Sequence, residues 1–91
     1  MNSFRYELRL NKRWQKRWEA LEETMPEAME KCRKFLQETP EDRLKSKGKL
    51  KTLKGNLKGL LQYDITDEAR IWYWVERKER IVFVKYVGHH P

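Results

Sequence analysis

Residues 60–90 read LLQYDITDEARIWYWVERKERIVFVKYVGHH, the chain's densest run of β-branched and aromatic residues. Three strands fit this run. Leu60–Ile65 ends at a polar turn, Thr66-Asp67-Glu68. Arg70–Glu76 ends at a charged turn, Arg77–Glu79, and Arg80–Val87 is the third. Connections this short make neighbouring strands antiparallel. Arg80–Val87 is apolar on both faces except at Lys85, which predicts a strand inside the sheet. Along Arg70–Glu76 the side chains alternate. Ile71, Tyr73 and Val75 share one face, and Arg70, Trp72 and Trp74 share the other. The first set fits a core. The second sets a guanidinium beside two indoles on the open face of the sheet, which suits a single-stranded nucleic acid: charge for phosphate, ring faces for bases. An equally good reading packs Trp72 and Trp74 beneath the preceding lysine-rich segment or against another chain.

Upstream, Arg43 to Tyr63 contains no acidic residue. Arg43, Lys45, Lys47, Lys49, Lys51, Lys54 and Lys58 carry seven positive charges there, numerically the whole net charge of +7. Glu41–Asn56 reads mostly as loop, held by Leu50, Leu53 and Leu57. The alternation from Lys45 to Lys51 also fits an extended edge piece, where lysines guard against aggregation. At the start of the chain, Phe4, Tyr6, Leu8 and Leu10 alternate with Arg5, Glu7 and Arg9, so Phe4–Leu10 reads as a half-buried strand. Asn11 is a good cap for a helix carrying Trp14, Trp18, Leu21 and Met25 at helical spacing, with Lys12, Arg13, Lys16 and Arg17 in its first half. Cations there oppose the helix dipole, which an anion bound nearby would relieve, although a solvated face is the better explanation. Thr24-Met25-Pro26-Glu27 has the form of a capping box opening a second helix, with Met29, Cys32, Phe35 and Leu36 as its apolar face. Pro40 ends that helix near Glu38. The resulting order, β-α-α-β-β-β, predicts an α+β fold over residues 1–91 as one domain: a small, mainly antiparallel sheet with a two-helix hairpin packed on one face.

The excess of cations suits a polyanionic partner. Cys32 is the only cysteine, so no intramolecular disulfide is possible and a reducing compartment fits. No apolar run has the length of a membrane span, and the first ten residues lack a signal-peptide core, so a cytoplasmic protein is expected. His89 and His90 close the run. Histidines can trade protons near neutral pH, yet a pair at a chain end is commonly an uninvolved tail. Neither Cys32 nor a nearby carboxylate completes a metal-ligand spacing with them, so no metal and no cofactor is expected.

Three motifs together carry a resemblance. They are L-K-x-N-L-x-G from Leu53 to Gly59, I-T-D-E-x-R-I-x-Y from Ile65 to Tyr73, and V-G-H from Val87 to His89. With the β-α-α opening, the chain resembles the RelE/ParE toxin superfamily of type II toxin–antitoxin systems over nearly its whole length, nearest to the RelE and YoeB/Txe-like mRNA interferases. The resemblance implies a metal-independent endoribonuclease in which an RNA 2′-OH attacks the adjacent phosphate and the 5′-oxygen leaves. It gives Arg70 the phosphate clamp and His89 the general acid. His90 falls where such proteins often end in tyrosine.

Two departures concern the base. Where YoeB-like members carry a glutamate, this chain has Lys51. The strand that bears RelE's lysines has Leu61 and Tyr63 here. The candidates are then Lys49, Lys51 and Lys54, either as bases with pKa lowered by like charges or as transition-state cations. Lys45, Lys47, Lys58, Lys85, Trp72 and Trp74 complete the expected nucleic-acid contacts. The implied partners are mRNA, the ribosome with its rRNA, and a cognate antitoxin whose acidic, partly disordered segment would meet Arg43–Lys58. Two other readings fit the same family: a ParE-like inhibitor of DNA gyrase, and a relative that binds RNA without cutting it.

Overall fold

A computed structural model of the protein describes residues 5–89, so Phe4 and His90 lie outside the described residues. In chain order the elements are β1 (Glu7–Arg9), α1 (Lys12–Thr24), α2 (Pro26–Glu38), α3 (Arg43–Ser46), β2 (Leu50–Thr52), a single 3-10 turn (Gly55–Leu57), β3 (Leu61–Asp64), β4 (Ala69–Glu76) and β5 (Ile81–His89). The strands form one sheet in the order β1-β5-β4-β3-β2. β1 runs parallel to β5 at one edge, and every other pair is antiparallel. The α+β class and the helix hairpin agree with the sequence. β5 lies inside the sheet, between β1 and β4.

Local chemistry explains the helix ends. Asn11 Oδ1 accepts from the Trp14 backbone N–H at 3.0 Å, which starts α1. The expected capping box at Thr24 does not form. Thr24 is the last residue of α1, and its hydroxyl donates back to the Ala20 and Leu21 carbonyls. Met25 caps α2 without a side-chain bond, and Pro26 supplies the pre-set first turn. The hydroxyl is captured by the helix it ends, a competition that Ser and Thr often win locally.

The segment expected to be mostly loop is more ordered. Asp42 Oδ1 accepts from the Lys45 N–H at 3.1 Å and starts α3, which Lys47 ends in a left-handed conformation. β2 then pairs with β3, with Leu50 opposite Tyr63. Leu50 is buried while Lys51 and Thr52 are exposed, so one inward leucine turns a lysine-rich edge piece into a strand. The sequence therefore yields four strands after the helices, where three were expected.

One face of the sheet is covered by the helices. Trp18 and Leu21 of α1 and Met29, Cys32, Phe35 and Leu36 of α2 are buried with Tyr63, Ile71, Tyr73, Val82, Val84 and Val87. Burial pushes the Cys32 thiol pKa far up, which keeps it an inert core group. Phe35 and Tyr63 stack with centroids 4.8 Å apart. A register shift between Trp72 and Tyr73 pairs Trp72 with Tyr86 but Tyr73 with Val84, leaving Lys85 as an extra, exposed residue on β5. This bulge is why Val84 and Val87, three residues apart, are both buried. No helix among the described residues is long and apolar enough to cross a membrane.

Tyr73 is fully buried, and its hydroxyl donates to the Pro40 carbonyl at 2.6 Å. That bond ties the centre of the sheet to the end of α2. Removing the donor leaves the buried carbonyl without this partner. Tyr73→Phe is therefore expected to lower unfolding free energy by about 1–3 kcal/mol, read from the urea midpoint at unchanged slope.

Candidate nucleic-acid face

The uncovered side of the sheet is assembled by register. Lys51 lies opposite Gln62, Gln62 opposite Trp72, and Trp72 opposite Tyr86. Asp64 lies opposite Arg70, and Arg70 opposite Gly88. Opposed residues share a face, so two rows of side chains cross the sheet side by side.

The first row is linked end to end. Lys51 Nζ donates to Asp64 Oδ2 at 2.6 Å, and Gln62 Nε2 donates to Asp64 Oδ1 at 2.8 Å. Trp72 Nε1 donates to Gln62 Oε1 at 2.9 Å. The Trp72 ring tilts against Tyr86 at 5.0 Å, and Tyr86 meets Trp14 of α1 edge-on at 5.3 Å. Partial burial works against ionising Asp64. The hydrogen bonds from Lys51 and Gln62 and the charges of Lys51 and Arg70 outweigh it, holding the carboxyl below the usual carboxylate range.

The second row is left open. Both Asp64 oxygens are engaged by Lys51 and Gln62, and no ion pair joins Asp64 to Arg70 among the described residues. Arg70 Nε is buried and has no hydrogen-bond partner. A buried donor without a partner costs about 1–3 kcal/mol, and more when charged. An incoming oxyanion would relieve that cost.

Further along the face, Trp74 is 38% exposed and stacks on Phe83 at 5.1 Å. Arg9 and Lys85 lie over the same Phe83 ring at 5.5 and 5.8 Å. The face thus carries two aromatic platforms flanked by cations, at the ends of which bases could stack.

The other lysines are dispersed. Lys49 points to the helix side: its Nζ donates to the Ile65 carbonyl at 3.2 Å and lies 5.8 Å from the Tyr63 ring. It lines a groove with Lys45, Lys47, Lys31 and Lys34. Lys54 and Lys58 line a shallow cleft in the β2–β3 hairpin. Of the three candidate bases, Lys51 alone stands on the Arg70 face. His89 ends β5, exposed and opposite Ala69, one step beyond the Arg70–Gly88 pair, so its register sets it on the side of Ile71 and Tyr73 and not on that of Arg70. Its imidazole makes no hydrogen bond to a described residue, and His90 lies outside them.

Gln62, Asp64 and Tyr86 were not singled out from the sequence. Alternation along Leu61–Asp64 carries the signal for the first two. Tyr86 had none, because the bulge that turns it onto this face leaves no mark in the composition.

The Lys51–Asp64 bond sets a pH dependence. Because the folded-state pKa of Asp64 is depressed, its contribution to stability is present above the ordinary value of 3.8 and is lost as pH falls through the folded value. Asp64→Asn should accordingly flatten the acid limb of Tm against pH between 5 and about 2, measured by thermal unfolding beside the unaltered protein.

No family model and no curated protein sequence matches the chain. Solved structures do. A YoeB/ParE toxin from Agrobacterium tumefaciens superposes with a TM-score of 0.71 at 26% identity, covering 93% of this chain and 99% of that one. A YoeB-YefM complex from Staphylococcus aureus matches at 0.69 and 20%, covering 96% and 99%. The toxin–antitoxin complex RelBE2 from Mycobacterium tuberculosis matches at 0.64 and 18%, covering 94% and 99%. Across nearly its whole length, the chain has the fold of the RelE/ParE/YoeB toxin superfamily.

Proposed function

We propose that residues 1–91 form one toxin domain of a type II toxin–antitoxin system, a metal-independent endoribonuclease that cuts mRNA positioned by the ribosome. The observation that carries this reading is Arg70: a buried guanidinium nitrogen without a partner, on a sheet face lined by indole and phenol rings. A guanidinium stays charged and can bind two phosphate oxygens at once. In the reaction, the 2′-OH gives up its proton to solvent, the 2′-oxygen bonds to phosphorus, and the bond from phosphorus to the 5′-oxygen breaks. Negative charge then gathers on the non-bridging oxygens, where fixed cations lower the barrier.

Arg70 clamps that phosphate, and Lys51, held as a donor by Asp64, adds a second cation. His89, exposed at the end of β5, would protonate the leaving oxygen by reaching round the strand end from the other side of the sheet, and His90 stands next in the chain. A strong base is what this face supplies least. Lys51 is engaged as a cation, and Asp64, held in its ionised form, is a weak proton acceptor. Such a site is adequate where the ribosome aligns the 2′-oxygen for attack. The groove holding Lys45, Lys47 and Lys49 would take acidic side chains of a cognate antitoxin, and both S. aureus and M. tuberculosis matches are toxin–antitoxin complexes. Lys54, Lys58 and Lys85 would meet rRNA or mRNA phosphates, and the work would be done in the cytoplasm.

A second reading has one observation in its favour: the A. tumefaciens match is named for both YoeB and ParE. A ParE-like protein would inhibit DNA gyrase without nuclease chemistry. Translation-coupled cleavage separates the two. Added to a cell-free translation reaction, the purified protein is expected to create new 5′ ends at ribosome-positioned codons of a defined mRNA. Arg70→Ala should reduce them at least 100-fold, the order found when one transition-state donor is removed, and His89→Ala should reduce them by a smaller factor. Intact mRNA with a folded protein, and loss of supercoiling by gyrase, would move the assignment to the second reading.

A further inference from the structure

Gly88 lies opposite Arg70 on the uncovered face. A Cβ built on it would point to the same side as the Arg70 side chain, and it would meet Arg17 Nη1 at 2.9 Å and Tyr86 Oη at 3.1 Å. Arg17 belongs to α1, on the far side of the chain in sequence, yet its guanidinium sits above the backbone directly beside Arg70. The missing side chain at Gly88 makes room for it. Its φ of +156° is also a value that side-chain-bearing residues rarely adopt.

Arg17 is exposed and makes no hydrogen bond or ion pair to a described residue; its guanidinium lies 5.9 Å from the Trp14 ring. The nearby Tyr86 hydroxyl donates to the His89 carbonyl at 2.5 Å. The Arg17 guanidinium thus rests over Gly88, whose cross-strand partner is Arg70; Arg70 has a buried donor unused, and Arg17 has no carboxylate partner among the described residues. Like charges gathered in this way are stabilised by an anion between them.

We infer that Arg17 and Arg70 form a two-arginine phosphate site over Gly88, with α1 supplying the second half of the clamp. This deepens the ribonuclease reading and rests on it only for the identity of the ligand as an RNA phosphodiester; the site itself rests on the geometry around Gly88. Arg17 would bind a non-bridging phosphate oxygen directly. The basic first half of α1, set against its helix dipole, gains a reason: one of its cations is spent on the sheet face.

The test has two arms. In the first, inorganic phosphate is titrated into the purified protein and followed by tryptophan fluorescence, since Trp14 and Trp72 border the site. Arg17→Ala is expected to weaken binding by about tenfold or more, the loss of a charge-assisted bond. Arg17→Lys should recover part of it, because an ammonium lacks the fork. Gly88→Ala should weaken it too, by displacing Arg17. Lys16→Ala, an equal change of charge on the same helix, should stay within about twofold, as expected for an exposed charge acting only through the screened field. If Arg17→Ala and Lys16→Ala weaken phosphate equally, Arg17 contributes only to the general field and the inference fails. In the second arm, the same variants enter the translation-coupled cleavage assay. Unchanged phosphate binding in Arg17→Ala alongside lost cleavage in Arg70→Ala would overturn the two-arginine site and leave the ribonuclease intact. Phosphate binding that needs Arg17 in a protein that cuts no mRNA would uphold the site and overturn the ribonuclease.

Discussion

β4 is hydrogen-bonded on both sides, to β3 and β5, and its alternation divides the protein. Ile71 and Tyr73 are fully buried under the helices, and Arg70, Trp72 and Trp74 stand on the opposite side. A strand fixed at both edges cannot slip by one residue without moving Tyr73 out of the core and an arginine into it. The Tyr73–Pro40 bond adds a lock between sheet and helices. The position of Arg70 is thus enforced by the burial of its neighbours. A site on a central strand is held more firmly than one on a loop, and the one buried side-chain donor without a partner among the described residues stands there.

The charge of the chain does not form a single surface. One part lies on the uncovered face, where Lys51, Arg70, Arg17, Arg9 and Lys85 are interleaved with rings. Another lines the groove between α2 and the segment from Lys45 to Lys49. A third sits in the β2–β3 hairpin. The lysine run looked uniform in sequence because its periodicity is near two, but strand pairing splits it. Leu50 faces the core and Lys51 the opposite side, whereas Lys49 precedes the strand and turns toward the helices. Lys49 reaches the Ile65 carbonyl, and Lys51 reaches Asp64. Only one of the two is near Arg70.

Much of the fold was legible because its signals are local. Period two in Arg70–Glu76 separated the core face from the open one, and helical spacing named Trp18, Leu21, Met29, Cys32, Phe35 and Leu36, all buried. The failures share a cause: each depended on a choice between local partners or on a distant one. Thr24 had two uses, closing one helix or opening the next, and the carbonyls of Ala20 and Leu21 claimed its hydroxyl. Asp42 starts a helix of only four residues, too short to leave a periodic trace. The bulge at Lys85 reverses the parity of β5, so counting by twos from Arg80 cannot bring Tyr86 to the same face as Trp72. Arg17 is further still from view, because nothing in the basic first half of α1 says which cation will cross to the end of β5.

The likeness to solved toxins at 18–26% identity has the same physical basis. A core of this kind requires apolar residues at set periods and tolerates exchange among them. The fold can therefore persist while most side chains differ, and for that reason the fold does not decide the chemistry. What can decide it is the part of the molecule that folding does not explain. The core accounts for Tyr73, and the Asp64 network accounts for Lys51 and Gln62. Neither accounts for a guanidinium with a buried idle nitrogen, a second guanidinium resting over a glycine, or a tryptophan left 38% exposed on a phenylalanine. Each of these lowers stability or leaves it unimproved in the free protein. All three lie on one face, and a ligand with an oxyanion and stacked bases would satisfy all three at once.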